Sequence, residues 1–355
     1  MIKTLSPYYL TIPWISPSSP TVPDKYVLEL YIWSGDKTNP PVEVTREIEN
    51  VNPLARLGDS KLNISDFINK FITIDLIQST TTQLLDTNAQ VWVKSQVIYY
   101  IGGVAQSPEF IDTNLALKGY GYGMYGENTS TPTNGVLSSV TEVKVNREGF
   151  YCLPVFMSET LQTDITVISY PDNKLNKVFN EALTIGSDDA VKQIWINVSE
   201  ALNDEYIEIS YNGDVVNTLL IQDELRYRPI DVFFVNDQGQ LQPITFFKEK
   251  RDKIELKSET YESSYGQPKD GVHQVIDFNQ NGKSSFKANT GFVSEENNSY
   301  IKQLLLKKTA WVYDGTLYTP VRVINSSFEY KTRQKDRLIN YLLEFDYAYS
   351  EINNI

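Results

Sequence analysis

The 355-residue chain has one cysteine, one histidine and no apolar run near the length of about 18 residues that a membrane-crossing helix needs. Each shortage excludes a class of function. With Cys152 alone, no disulfide can close within the chain and no zinc ribbon can form. With His273 alone, two-histidine metal sites are excluded, and a serine or cysteine nucleophile has one candidate base. No G-x-S-x-G elbow is present to hold out a serine. Basic residues are the scarcer charge, 32 against 45 acidic, for a net −13, so the basic footprint of a dedicated nucleic-acid binder is missing. Residues 1–23 carry one lysine and no apolar core, and Pro13, Pro17, Pro20 and Pro23 interrupt them, so no secretory leader is expected.

What the chain has in quantity is tyrosine, 23 residues of it, and short strand-like runs. Alternation predicts a strand over 26–33, with Leu28, Leu30 and Ile32 on one face and Glu29, Tyr31 and Trp33 on the other. A longer one is expected over 91–101, with Trp92, Ile98 and Tyr100 on one side, and others over 164–170, 191–198 and 206–211. Asn212-Gly213 then marks a type I′ hairpin whose returning strand covers 215–221. Residues 62–71 suit a short turn of helix. Strands of this length and spacing fit immunoglobulin-like or fibronectin-like sandwiches better than a parallel sheet.

The last third changes style. Strands over 230–235 and 243–247 flank the turn Asn236-Asp237-Gln238-Gly239, and two more are expected over 253–261 and 272–278, the second leading into Asn281-Gly282. One convincing helix follows: Ser294 stands at its N-cap, Glu295 and Glu296 in its first turn, and Lys307 and Lys308 in its last. Ile301, Leu304 and Leu305 give it one apolar face. After Asp314-Gly315 come strands over 320–330 and 338–349. The expected fold is therefore mainly β, with immunoglobulin/fibronectin-like β-sandwich domains followed by a C-terminal α+β (β-β-α-β-β) domain. The expected divisions are a sandwich-like domain over 1–155, a second small sandwich over 156–225, and the α+β domain over 226–355. Charge divides in step: residues 1–221 carry 14 basic and 26 acidic side chains, a net −12, and residues 222–355 carry 18 and 19, a net −1.

Few segments carry chemistry. Gly121-Tyr122-Gly123-Met124-Tyr125-Gly126 has the G-x-G-x-x-G spacing, but the dinucleotide motif needs a helix after it, and the Thr/Ser/Pro/Asn stretch that follows is not one. The segment reads as a Tyr/Gly loop, either tucked on its own domain or offering Tyr120, Tyr122 and Tyr125, with Trp33, as platforms for a protein or a sugar ring. Cys152 lies in the apolar run 151–156 and reads as a buried thiol, and His273 as an ordinary surface or edge residue. Glycoside hydrolysis needs only two carboxylates at the correct separation, yet nothing marks a particular pair. Asp188-Asp189 and Asn203-Asp204-Glu205 lack EF-hand spacing and read as solvated turns. Lys331, Arg333, Lys335 and Arg337 form a basic cluster, read either as a charged hairpin tip that discourages edge pairing or as a subunit contact. No metal and no cofactor is expected.

Three stretches carry a resemblance. They are Ser6-Pro7-Tyr8-Tyr9 through Tyr31-Ile32-Trp33-Ser34-Gly35; Pro229-Ile230-Asp231-Val232-Phe233-Phe234-Val235-Asn236 on to Phe246-Phe247-Lys248; and Phe328-Glu329-Tyr330-Lys331-Thr332-Arg333 with Leu338-Ile339-Asn340-Tyr341 and Glu344-Phe345. In these phrases the chain resembles structural virion proteins of the tail or baseplate of tailed bacteriophages that infect Bacteroidetes-type hosts. The resemblance implies a non-enzymatic building block, assembled in the host cytoplasm and residing in the virion tail. Its C-terminal part would have the fold of tail-tube and distal-tail proteins, which close into rings. The implied partners are copies of itself and other virion proteins. The Tyr/Gly loop keeps a second reading open, a carbohydrate-binding adhesin or receptor-binding module whose Tyr120, Tyr122, Tyr125 or Trp33 stacks on a host surface glycan. Sequence-specific nucleic-acid binding and membrane insertion are not implied. Some 220 residues precede that C-terminal part, which favours an adaptor, baseplate or tube-decorating position over a plain tube.

Overall fold

A computed structural model describes residues 1–13, 23–51, 59–76, 78–123, 135–157, 163–181, 190–262, 273–307, 309–325, 327, 329–331 and 339–351. Among these the chain is mainly β, with strands in five sheets and two α-helices. It divides into two compact units that interleave along the sequence. The first holds Met1–Val143, Tyr151–Leu220 and Val235–Gln242; the second holds Lys144–Phe150, Ile221–Phe234 and Pro243–Ile355.

In the first unit a six-stranded sheet runs in the order Ile2–Lys3, Glu109–Leu117, Gln90–Ile101, Lys25–Trp33 and Arg46–Val51, with Val104–Ala105 paired to Gln90–Ile101. Alternation sorts its side chains onto two faces. Leu28, Leu30, Val91 and Val93 enter one core, together with Ile64 and Ile68 from around the short helix Ser65–Asn69 and Leu10 and Ile12 from the ribbon that Tyr9–Ile12 forms with Ser60–Asn63. Trp92, Leu115 and Leu117 point the other way, into a second cluster with Leu137 and Val191. Burial on both faces explains why Gln90–Ile101 lacks a clean apolar-polar alternation.

Two further sheets follow in the chain. One orders Glu142–Asn146, Asp214–Gln222, Tyr206–Tyr211, Thr163–Tyr170 and Asn176–Glu181; the other orders Phe150–Met157, Ala190–Asn197 and Gln83–Asp86. The hairpin at Asn212-Gly213 forms as its sequence predicts, both residues having positive φ (52° and 89°), and the Asn212 side chain accepts from the Asp164 amide at 2.9 Å. Asp204, within the expected solvated turn, is instead fully buried. Its carboxylate accepts from the Ser169 hydroxyl and from the Asp172 and Lys174 amides at 2.9 and 3.0 Å. Burial opposes its charge, but these hydrogen bonds outweigh that and hold the carboxyl below its ordinary range.

The second unit carries a seven-stranded sheet in the order Leu241–Phe246, Ile230–Val235, Thr309–Tyr313, Tyr318–Val323, Leu342–Tyr347, Val275–Asn289 and Lys250–Glu262. Three strands follow the helix, not two. The added one is Thr309–Tyr313, and the strand expected over 320–330 is the shorter Tyr318–Val323. The helix spans Asn297–Lys307, with Ile301 and Leu304 buried, Leu305 half-buried and Tyr300 wholly buried. The Tyr300 hydroxyl donates to the Pro243 carbonyl at 2.6 Å, and its ring meets Phe234 edge-on at 5.1 Å, which fixes the helix over the first two strands of the sheet. Ser294 does not cap the helix by its side chain. The amides of Asn297, Asn298 and Ser299 bond to the carbonyls three residues back, so the chain enters as a tighter turn. Glu295 and Glu296 therefore precede the first helical turn instead of lying in it.

Candidate assembly surface

The feature of the second unit with no counterpart in an ordinary buried sheet is its last hairpin. Lys250–Glu262 and Val275–Asn289, of 13 and 15 residues, pair antiparallel from Lys250↔Ala288 to Glu262↔Val275. Only the root has support. Leu342–Tyr347 pairs with Ser285–Asn289 and no further, and Phe286 stacks on Phe345 at 4.9 Å while Phe246 meets Phe345 edge-on at 5.6 Å. Glu351 lies against Gly282, where an added Cβ would come within 3.2 Å of it. From Lys257↔Asn281 outward, the two strands pair only with each other among the described residues.

The sequence explains this geometry. In Lys250–Glu262 charge and apolar character alternate with neither face left for a core, so after Lys250 every side chain of the strand is exposed. Neighbouring ion pairs, Lys253 with Glu255 at 2.5 Å and Lys250 with Asp252 at 2.9 Å, keep the strand solvated and contribute little to stability at the surface. The hydrogen bond from Lys253 holds Glu255 below its ordinary carboxyl range. Against that polar background stand Ile254, Leu256 (77 % exposed), Tyr261, Val275 and Phe278 (44 % exposed). The register slips by one residue between Lys257 and Glu259. Such a slip moves apolar residues from one face of a ribbon to the other, so Tyr261 and Phe278, in ring contact at 5.8 Å, lie beyond a break from Ile254 and Leu256.

The residues singled out in the sequence are placed as follows. Tyr120 and Tyr122 face each other edge-on at 5.8 Å, and both are half-buried. The Tyr120 amide donates to the Asp237 carbonyl at 2.7 Å and the Gly121 amide to Ser6 Oγ at 2.6 Å, so the described part of the Tyr/Gly loop is tucked on its own unit. Burial pushes the Tyr120 phenol up. Trp33 is half-buried against the Trp92–Leu117 cluster and donates from Nε1 to the Asp36 carbonyl at 2.7 Å. Tyr125 lies outside the described residues, as do Arg333, Lys335 and Arg337. Lys331 is held locally, its Nζ donating to the Asn340 carbonyl at 2.6 Å and standing 5.4 Å from the Tyr341 ring centre. His273 is exposed, and Cys152 is buried. Asp188 and Asp189 lie outside the described residues, and among the described residues no three His, Cys, Asp or Glu side chains gather to hold a metal ion. Both strands of the arm lie where the sequence places strands, over 253–261 and 272–278; the difference is their length, the first beginning at Lys250 and the second running on through Asn281-Gly282 to Asn289.

No model of a known protein family matches the chain, and no curated protein matches it.

Proposed function

We propose that this chain is a non-enzymatic structural component of a phage tail or baseplate. It assembles as a homo-oligomeric ring, or as an adaptor attached to one, through its C-terminal α+β domain, which has the fold of tail-tube and distal-tail proteins. The acidic N-terminal portion, built from immunoglobulin-like or fibronectin-like sandwiches, projects from that ring or binds neighbouring virion proteins. The resemblance of the three sequence stretches supports the family.

The single observation that carries the assembly is the hairpin arm. A two-stranded ribbon is marginally stable alone, and a long exposed edge is a template for another strand. Here the arm joins an edge that is unpaired among the described residues, Lys250–Glu262, to exposed Leu256, Tyr261 and Phe278. The occupant is a second copy. A contact from an arm to a different patch on the next subunit is head-to-tail, and head-to-tail contacts close into rings when the rotation allows.

The test is light scattering of the full chain against a Leu256→Glu/Phe278→Glu variant. The expected result is an oligomer for the natural chain and a monomer of unchanged circular dichroism and melting temperature for the variant. An oligomer that survives both substitutions overturns the role of the arm. A monomer at every accessible concentration, with absence of the chain from purified virions, overturns the function.

A further inference from the structure

The second unit holds an open cleft of about 440 Å³ that the assembly reading does not use. Its walls carry five acids, Glu148, Asp223, Glu224, Asp231 and Asp314, against two bases, Arg147 and Arg228. Most of these are already engaged. Arg147 grips Asp223 by two bonds, Nε to Oδ1 at 2.8 Å and Nη2 to Oδ2 at 3.0 Å. Glu224 pairs with Lys248 at 2.5 Å, and Arg228 donates to the Asp314 carbonyl. The Asp314 carboxylate accepts from the Thr316 and Leu317 amides at 2.9 and 3.0 Å.

Asp231 is the exception. It is 4 % exposed, lines the cleft, and sits in the otherwise apolar strand Ile230–Val235. Among the described residues its carboxylate accepts from the Thr245 hydroxyl at 2.6 Å and the Phe150 amide, both neutral donors. Glu148, exposed on the wall, makes no ion pair among the described residues. Gly149 is part of the construction, because a Cβ there would lie 2.5 Å from Asp231 Oδ2. The carboxylate is thus seated against bare backbone, and among the described residues no cation pairs with it.

We infer that this cleft binds an organic cation, a primary ammonium or guanidinium group on a slender stem, with Asp231 as its buried counter-ion and Glu148 as the outer one. A chelated metal does not fit, because the acids do not converge on one point among the described residues. The aromatic wall suits a cation. Tyr313 lines it, and Tyr227 on the rim already has the Arg226 guanidinium at 5.2 Å and the Lys248 ammonium at 6.0 Å from its ring centre. Burial pushes the Asp231 carboxyl up to about 6, as expected for a carboxylate waiting for a positive partner. The site stands whether or not the chain forms rings, since every residue in it belongs to the second unit.

The cation has two sources, a free polyamine-like molecule or a lysine or arginine of a protein segment, and titration calorimetry with two probes separates them. The probes are agmatine and a peptide covering residues 329–339 of this chain, titrated into the full-length protein. Binding of either supports the site, agmatine alone marking a free cation and the peptide alone a protein side chain. Affinity is expected to fall about tenfold between pH 7 and pH 5, with protons released on binding near pH 6. Over that range Asp223, held down by Arg147, Glu224, held down by Lys248, and Asp314, held down by the Leu317 amide, keep their charge, and burial pushes the Tyr313 phenol up, away from it. Asp231→Asn should weaken binding tenfold or more, and the exposed Glu148→Gln severalfold without touching the fold. Neither probe binding, or equal affinity in the natural chain and both variants, overturns the inference.

Discussion

Replacing Asp231 by asparagine should stabilise the protein, and the gain should depend on pH. In the folded chain the carboxyl titrates near 6 against an ordinary 3.8, chiefly because burial penalises the charge, with the Thr245 and Phe150 hydrogen bonds opposing. A carboxyl raised on folding favours the native state below its unfolded value, and that advantage is lost as pH rises through the folded one. At 1.36 kcal/mol per unit, the raised carboxyl costs about 3 kcal/mol at pH 8, where it is ionised, and well under about 1 kcal/mol at pH 4, where the folded chain keeps it protonated. Asparagine keeps an acceptor for the Thr245 hydroxyl and removes the charge. The variant should therefore melt roughly 6–12 °C higher at pH 8, at 2–4 °C per kcal/mol, with most of the gain gone at pH 4. Differential scanning calorimetry across that range is the assay. A variant no more stable than the natural chain at pH 8, or equally stabilised at both ends, would refute the account of a buried, uncompensated charge.

Other substitutions test the frame. Asp204→Ala should lower the melting temperature at neutral pH, and the deficit should narrow on acidification, because a carboxyl held below its ordinary range stabilises above it and loses that effect as pH falls; a pH-independent deficit would contradict this. Gly239→Ala should cost about 1–3 kcal/mol in urea denaturation, since φ is +81° and the new Cβ would stand 2.5 Å from the Lys118 carbonyl carbon. Tyr300→Phe should cost about 1–3 kcal/mol by leaving the buried Pro243 carbonyl without its donor, and an unchanged denaturation midpoint would show that water replaces the hydroxyl.

Where one side of a strand meets a core, its pattern was readable. Residues 26–33 and 206–211 lie in strands as their alternation predicts, and Asn212-Gly213 makes the turn its composition demands. Three features were hidden for separate reasons. Thr309–Tyr313 has only five residues and begins two positions after the last helical residue, Lys307, so no turn signal in the sequence separates it from the helix end. Asn281-Gly282 looks like a hairpin turn, yet Val275–Asn289 runs straight through it, because cross-strand pairing with Leu256 and Lys257 supplies what local preference does not. The cleft gathers residues distant in sequence, Arg147, Asp223 and Asp314 among them, and no periodicity reports such a gathering. Its one legible sign was Asp231, a lone acid in an apolar strand.

The single cysteine gives the chain a built-in clock. Cys152 is fully buried in Phe150–Met157, its Sγ 3.3 Å from the Leu241 carbonyl, and burial raises its thiol well above the ordinary range. A thiol reagent therefore meets neither an exposed sulfur nor a thiolate until those strands separate. With no second cysteine in the chain to confuse the signal, the rate of alkylation of the purified chain reports how often the first unit opens.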